Sequence, residues 1–384
     1  MSGPLRVGIV GAGRISGQYS ASLSRLPQLR VSAVADLDSA RAQALAAEHP
    51  QARATCLEDL LAADHVDVVL NLTPPAAHAE TALAALAAGK HVYGEKPLAA
   101  TTREGRAVLD AAAAAGLRVG CAPDTVLGTG IQTARAAVDA GHIGVPHAAT
   151  AFMVTPGHER WHPDPEFYYR PGGGPLLDMG PYYLTTLVQL LGPVRRVVGA
   201  SSRPRHRRTI GAGPRSGTTF DVEVDSHVTG ILEHSGGALT TLVMSFDTWA
   251  ARLPRIEVYG SEGSLSVPDP NYFDGAVELS TAAAPDWVRL PVSAGYLGAG
   301  RGYGVADLAV SLDADRPHRA SAEVGMHVLD VMESVHAAAA GGTAVAVTTT
   351  CDRPEPVTGP TSLSRGEGRS ASCPQRPRGD THGH

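Results

Sequence analysis

Lysine is almost missing from this chain. In 384 residues it occurs only at Lys90 and Lys96, and the rest of the 32 basic side chains are arginine. A guanidinium supplies positive charge but keeps its proton, whereas an ammonium taken out of water can release one near neutral pH. A lysine retained against that background marks a candidate proton-handling group. Lys96 is the first candidate, because it sits in Tyr93-Gly94-Glu95-Lys96-Pro97, where Glu95 can orient the ammonium and Pro97 fixes the backbone. A surface lysine in a loop is the competing reading. Cysteine is scarce too: Cys56, Cys121, Cys351 and Cys373 have no paired spacing, so neither a zinc site nor a disulfide framework is indicated. A net charge of −6 leaves no basic footprint for nucleic acid. No signal peptide is recognisable and no apolar run is long enough to span a bilayer, so a cytoplasmic protein without a membrane partner is expected.

What is present is the composition of a soluble globular protein, 43% hydrophobic and 18% charged, long enough for two domains. Leu5 to Val10 reads as a buried parallel strand. It runs into Gly11-Ala12-Gly13-Arg14-Ile15-Ser16, after which Tyr19, Leu23 and Leu26 recur at helical spacing. A strand, a glycine-rich turn and a helix in that order let the backbone approach a pyrophosphate, whose charge rests on the helix N-terminus. Ser16 stands where a third glycine or alanine is usual, a mild departure that bears on helix packing. Val31 to Ala35 reads as a second strand ending at Asp36, whose carboxylate can accept from ribose hydroxyls and would repel a ribose phosphate. NAD is therefore favoured over NADP, with Arg14 and Arg41 keeping NADP open.

The alternation continues. Ser39 to His49 reads as a helix capped by Asp38 or Ser39, Leu57 to Ala62 as a short helix, and Val66 to Leu72 as a central strand stopped by Thr73-Pro74-Pro75. His78 falls on the first turn of the next helix, read as Glu80 to Ala88 with Gly89 as its cap, and is expected to pack under the cofactor. His91 to Tyr93 is a further strand, and it delivers Glu95 and Lys96 to the carboxyl edge of the sheet, where open α/β folds bind ligands. Arg103 to Ala115 and Arg118 to Cys121 complete a doubly wound α/β unit. The candidate cofactor contacts are Gly11, Gly13, Arg14, Ile15, Asp36, Thr73, Pro74, His78, Glu95 and Lys96.

The Gly-Ala-Gly-Arg-Ile turn, Asp36, the Asn71 to Pro75 strand end with His78, and Glu95-Lys96-Pro97 resemble the glucose–fructose oxidoreductase/inositol dehydrogenase (Gfo/Idh/MocA) family, from about residue 5 to about residue 355. The resemblance implies a Rossmann domain over 1–122 and an α+β domain with a large, mostly antiparallel sheet over 123–354. It also implies nicotinamide-dependent oxidation or reduction of a sugar, cyclitol or related polyol, in a homodimer or homotetramer. Relatives carry Asp-x-Gly-x-His in the segment that here reads Asp178-Met179-Gly180-Pro181-Tyr182. Asp178 matches, and Tyr182 stands where the usual histidine would.

The expected catalytic set is Lys96, Asp178 and Tyr182. Asp178 and Tyr182, four apart on a helix whose apolar face is Leu176, Leu177, Leu184, Leu187, Val188 and Leu191, share a face. A phenol is a poor base at neutral pH unless an ammonium, here Lys96, stabilises its phenolate. The loop Gly157-His158-Glu159-Arg160-Trp161-His162-Pro163, running on to Phe167-Tyr168-Tyr169, interleaves aromatics with His and Arg as a sugar site does, though a loop packed on its own aromatics fits as well. His158, Trp161 and Tyr183 are the substrate candidates.

Further on, Ile131 to Ala140 reads as a helix and Ala148 to Val154 as a strand. Val222 to Leu232, Ala238 to Phe246, Arg255 to Tyr259 and Ser264 to Val267 read as antiparallel strands. Ser201 to Thr219 reads as a mobile insertion or long loop, His318 and Arg319 as a surface turn, with reach into the cleft as the alternative, Val305 to Leu312 and Ala322 to Ala340 as helices, Ala344 to Thr349 as a closing strand, and 355–384 as a disordered tail. Two other functional classes stay open: a dinucleotide-sensing protein without chemistry, and a dehydrogenase of a non-sugar diol.

Overall fold

A computed structural model describes residues 3–363. Six strands, β1 (Leu5–Val10), β2 (Leu29–Ala35), β3 (Arg53–Thr55), β4 (Val68–Asn71), β5 (His91–Gly94) and β6 (Val119–Cys121), form a parallel sheet in the order β3-β2-β1-β4-β5-β6. Helices α1 (Ser16–Leu23), α2 (Ser39–Ala47), α3 (Leu57–Ala62), α4 (His78–Ala87) and α5 (Thr102–Ala115) connect them. The inner strands are unbroken apolar runs because both sheet faces are covered; Val7, Ile9, Val68 and Val69 are fully buried. Chain order reverses between β1 and β4, which opens a crevice at their carboxyl ends. Asp38, not Ser39, caps α2, accepting from the amides of Ala40 and Arg41. Strand β3 escapes a reading by pattern because it is short and largely exposed.

The second unit runs through α6 (Thr129–Asp139), β7 (Pro146–Val154), α7 (Pro175–Leu191), β8 (Val194–Ser202), β9 (Arg207–Thr209), β10 (Thr219–Asp221), β11 (His227–His234), β12 (Leu239–Ser245), β13 (Ile256–Gly260), β14 (Gly263–Val267), β15 (Glu278–Thr281), β16 (Val288–Arg289), β17 (Gly295–Tyr296), α8 (Tyr303–Asp313), α9 (Ala322–Gly341), β18 (Val345–Ala346) and β19 (Pro360–Thr361). Nine of these strands make one sheet, β16-β15-β14-β13-β7-β12-β11-β8-β18, antiparallel except where β7 meets β12. Helices α7 and α9 pack on one face. On α9, Val324, Val328, Val331, Met332 and Val335 are buried, and the helix also touches α5 and β6, tying the two units together. Val198, Ile231 and Leu239 are exposed.

Three expectations are corrected. The segment 201–219 is not a loose insertion: β8 extends into it, β9 and β10 pair as a ribbon, and Arg208 is buried. Its order comes from strand pairing, buried ion pairs and a single core residue, Ile210, rather than from apolar periodicity. Residues 355–363, expected to begin a disordered tail, lie against the protein, with Val357 buried, its amide donating to Gln132 and its carbonyl accepting from Gly295; 364–384 lie outside the described residues. His318 and Arg319 form neither a free surface turn nor part of the cleft. His318 is buried with Nε2 at 3.0 Å from the Val119 carbonyl, and Arg319 pairs with Asp307. Among the described residues, no helix is long and apolar enough to cross a membrane, and no cluster of His, Cys, Asp and Glu could hold a metal.

Candidate active site

The floor of the crevice is built from strand ends. Gly11 has φ +100°, and a Cβ there would lie 2.7 Å from the Leu72 carbonyl oxygen, so only glycine lets β1 turn under β4. Gly13 is open: a Cβ would meet nothing within 4 Å, which leaves this turn free to face a large anion. The Asp36 carboxylate is fixed from both sides, accepting from the Ala12 amide at 2.7 Å and the Asp38 amide at 2.8 Å, and so joins the end of β2 to the glycine turn. Leu37 beside it is fully exposed, and Arg41 pairs with Asp38. Ile15 packs against the core at the start of α1. Arg14 points across the crevice, its guanidinium 5.8 Å from the Trp161 ring.

Thr73 donates its amide and hydroxyl to Asn71 Oδ1, at 3.2 and 2.6 Å, which shapes the turn into Pro74. His78 is a brace. It is buried, with Nδ1 2.6 Å from the Pro97 carbonyl and Nε2 2.8 Å from that of Thr73, so its ring pins the β4 turn to the segment after Lys96. Glu95 differs from expectation. Its side chain accepts from the Tyr19 hydroxyl at 2.7 Å and from the Lys96 amide at 3.1 Å, and no hydrogen bond joins it to the Lys96 ammonium.

That ammonium is oriented by Asp178 instead. Lys96 Nζ donates to the Asp178 carbonyl at 2.6 Å and to Oδ1 at 3.0 Å, and lies 5.3 Å from the centre of the Tyr182 ring. Burial works to lower the Lys96 pKa, but Asp178, Tyr182 and Glu95 outweigh it and hold it above its ordinary value. Lys96 is thus a fixed ammonium, because the attraction of the acids around it outweighs the cost of its desolvation. Burial likewise works to raise Asp178, yet Lys96 and His158 bring it down to about 2. His158 Nε2 reaches Asp178 Oδ2 at 3.1 Å, closing a Lys96–Asp178–His158 chain across the two units.

Tyr182 is 5% exposed, and its hydroxyl accepts from Arg301 Nη2 at 3.0 Å. Burial raises its pKa, and Lys96 and Arg301 oppose this without cancelling it. At rest Tyr182 is a neutral phenol, with Lys96 over its ring face. Tyr183, the next residue on α7, is fully buried and does not line the cleft; its neighbour's face of the helix carries the site.

His158 and Trp161 belong to the wall. The His158 ring lies 4.6 Å from Tyr168, 4.4 Å from Phe246 and 5.2 Å from Trp161, and Trp161 is half exposed. The loop is anchored from behind. Arg208 donates to Glu159 at 2.8 Å and to Asp247 at 2.7 Å, and Tyr169 donates to Glu159. Sequence reasoning missed Arg208 and Arg301 as parts of the site. Arg208 was hidden in an arginine-rich stretch; Arg301 carried only the faint signal of a charge held between two glycines, Gly300 and Gly302, ahead of a helix.

Comparison with known proteins agrees with the fold. Residues 5–122 match the oxidoreductase family with an NAD-binding Rossmann fold, and residues 131–266 match the Gfo/Idh/MocA C-terminal domain. The 1,5-anhydro-D-fructose reductase of Ensifer adhaerens is 30% identical over 68% of this chain and 74% of its own length. The D-glucoside 3-dehydrogenase of Escherichia coli is 33% identical over 62% of this chain and 69% of its own. A crystal structure of an NAD-binding oxidoreductase from Klebsiella pneumoniae superposes with a TM-score of 0.79 at 24% identity, covering 90% of this chain and all of that one. With both halves matched in order and the site assembled between them, this chain belongs to the Gfo/Idh/MocA family of NAD-binding oxidoreductases.

Proposed function

We propose that the protein moves hydride between NAD(H) and a carbinol carbon of a sugar, cyclitol or related polyol. The observation that carries this reading is the Lys96 ammonium, fixed at the carboxyl edge of the Rossmann sheet by Asp178 and facing the Tyr182 ring. The named sugar activities of the relatives support the substrate class. The open Gly13 turn and Arg14 suit a pyrophosphate, and Asp36 has lone pairs left for ribose hydroxyls while repelling a ribose phosphate, which favours NAD over NADP. Thr73, Pro74 and Glu95 line the floor beneath. When bound, the nicotinamide supplies or accepts the hydride.

Substrate enters between Lys96 and the His158/Trp161 wall. The Lys96 ammonium donates to the reacting oxygen and neutralises charge that develops there. Asp178 holds Lys96 in place, and together with His158 it is positioned to take the neighbouring hydroxyl. Tyr182 handles the proton. The open face of the nine-stranded sheet, with Val198, Ile231 and Leu239, would serve contacts in a homodimer or homotetramer, and we assign the protein to the cytoplasm.

The test is absorbance at the reduced-nicotinamide band, with NAD and then NADP, against inositols, aldoses and anhydro-sugars. Turnover with NAD on one of them is expected. Tight NAD binding without turnover on any substrate, diols included, would overturn the enzyme reading and point to a sensing protein.

A further inference from the structure

Arg301 lies outside every element that builds the crevice, in the turn before α8, yet it reaches the middle of the site. It is 8% exposed, and its Nη2 donates to the Tyr182 hydroxyl at 3.0 Å and to Asn271 Oδ1 at 3.3 Å. The turn is locked: the amides of Gly302 and Gly304 both donate to Asp124, at 2.8 and 3.0 Å, so the guanidinium is aimed by backbone rather than by a free loop. A guanidinium has no lone pair and can only donate. The Tyr182 oxygen must therefore accept from Arg301, and its own proton is directed elsewhere.

We propose that Arg301 is a positioning residue for the reaction, which makes the Tyr182 phenol the proton donor to the substrate oxygen by occupying that phenol's acceptor side and steadying the charge left on it. In the reducing direction, hydride from reduced nicotinamide adds to the carbonyl carbon. The Tyr182 O–H bond breaks, a substrate O–H bond forms, and the phenolate is held between two cations until solvent reprotonates it after product leaves. In the oxidising direction the phenol would first give its proton to solvent, and the phenolate, steadied by the two cations, would take the carbinol proton as hydride leaves the carbinol carbon for oxidised nicotinamide. The charged and titratable groups facing this pair are Lys96, Glu95 and Asp178 around Tyr182, and Glu95, Asp124 and Tyr19 around Arg301. Arg301 at the hydroxyl and Lys96 over the ring face place two cations around one phenol.

The inference rests on the dehydrogenase reading, and the test separates the two. The first arm uses a cycle of Arg301→Gln, Tyr182→Phe and the double variant, with NAD affinity and melting temperature measured alongside. Tyr182→Phe should lower kcat by about 10²- to 10⁴-fold with KM little changed. Arg301→Gln should lower kcat by about tenfold or more, as expected when a charge that stabilises the leaving proton's partner is lost. In the Tyr182→Phe background Arg301→Gln should then change kcat by less than about twofold. Equal losses in both backgrounds would show a purely structural role and overturn the proposal. Should Arg301→Gln fail to fold, Arg301→Lys keeps a cation and should give an intermediate kcat with KM retained; wild-type kcat or complete loss would count against it. The second arm needs no substrate. In protein carrying ¹³Cζ-tyrosine, the Tyr182 resonance, identified by its loss in Tyr182→Phe, should move on Arg301→Gln or Arg301→Lys, and an unmoved resonance would overturn the coupling even if the protein turned over no substrate at all.

Discussion

The floor and the wall of this crevice are held by different physics. The floor, from Gly11 to Lys96, is positioned by backbone: parallel strand ends, a glycine that must adopt a positive φ, and carbonyls and amides that fix Asp36, Thr73 and His78. The wall, from His158 to Tyr169, is positioned by charge. Arg208 is buried between Glu159 and Asp247, with side chains 1%, 6% and 9% exposed. A floor made of hydrogen-bonded backbone tolerates side-chain change unless the changed group does chemistry. A wall hung on buried ions fails when any one ion is removed, because its partners are left uncompensated.

The sharpest way to break this contrast is at the floor's chemical group. Lys96→Ala should lower kcat by about 10²- to 10⁴-fold while NAD affinity stays near wild type; the melting temperature should fall as well, because the Asp178 carbonyl and carboxylate lose their ammonium. Next comes the wall. Arg208→Met leaves buried Glu159 without a cation and Asp247 with Arg205 alone, and should cost about 3 kcal/mol, read in the denaturant midpoint, with KM rising as the His158 loop loosens. A fully active, equally stable Arg208→Met protein would dismantle the picture of an ion-hung wall.

The Asp178 carboxylate, where floor meets wall, gives a pH signature. Its folded pKa is depressed from 3.8 to about 2, so the stability it contributes is present above its unfolded value and is lost as pH falls through the folded one. Comparing wild type with Asp178→Asn, the difference in stability should be about 2 kcal/mol at neutral pH, persist to about pH 5, and vanish towards about pH 2. The smallest effect belongs to Asp36, whose replacement by Ala leaves the sheet intact. It should weaken NAD by about tenfold and narrow the preference over NADP, seen in paired binding titrations.

The same contrast explains what could be read from residues alone. The floor is local: strand, turn, helix and acid lie within about forty residues of each other, and each leaves its mark as an apolar run, a glycine or a proline. Lys96 was found from its rarity. What escaped depends on partners far away. Glu159 and Arg208 are 49 positions apart, Tyr182 and Arg301 are 119 apart, and neither pairing leaves a periodic trace. The stretch 201–219 looked mobile because its order comes from a short ribbon, buried ion pairs and the lone core residue Ile210 rather than from a periodic apolar face. The protonation of Lys96 and Tyr182 could not be read for the same reason. Desolvation can be guessed from a sequence, but the sum of charges around a buried group needs the fold.

The scarcity of lysine also bears on how the molecule can be handled. Of its two side-chain amines, Lys96 is secluded and kept charged by Asp178, and so is a poor nucleophile towards acylating reagents. Lys90 lies at the opposite end of β5, where Nζ donates to the Ala63 carbonyl at 2.8 Å. Amine-directed conjugation of side chains should therefore settle on the back of the Rossmann sheet, giving a dye or a surface a single point of attachment that leaves the crevice unobstructed.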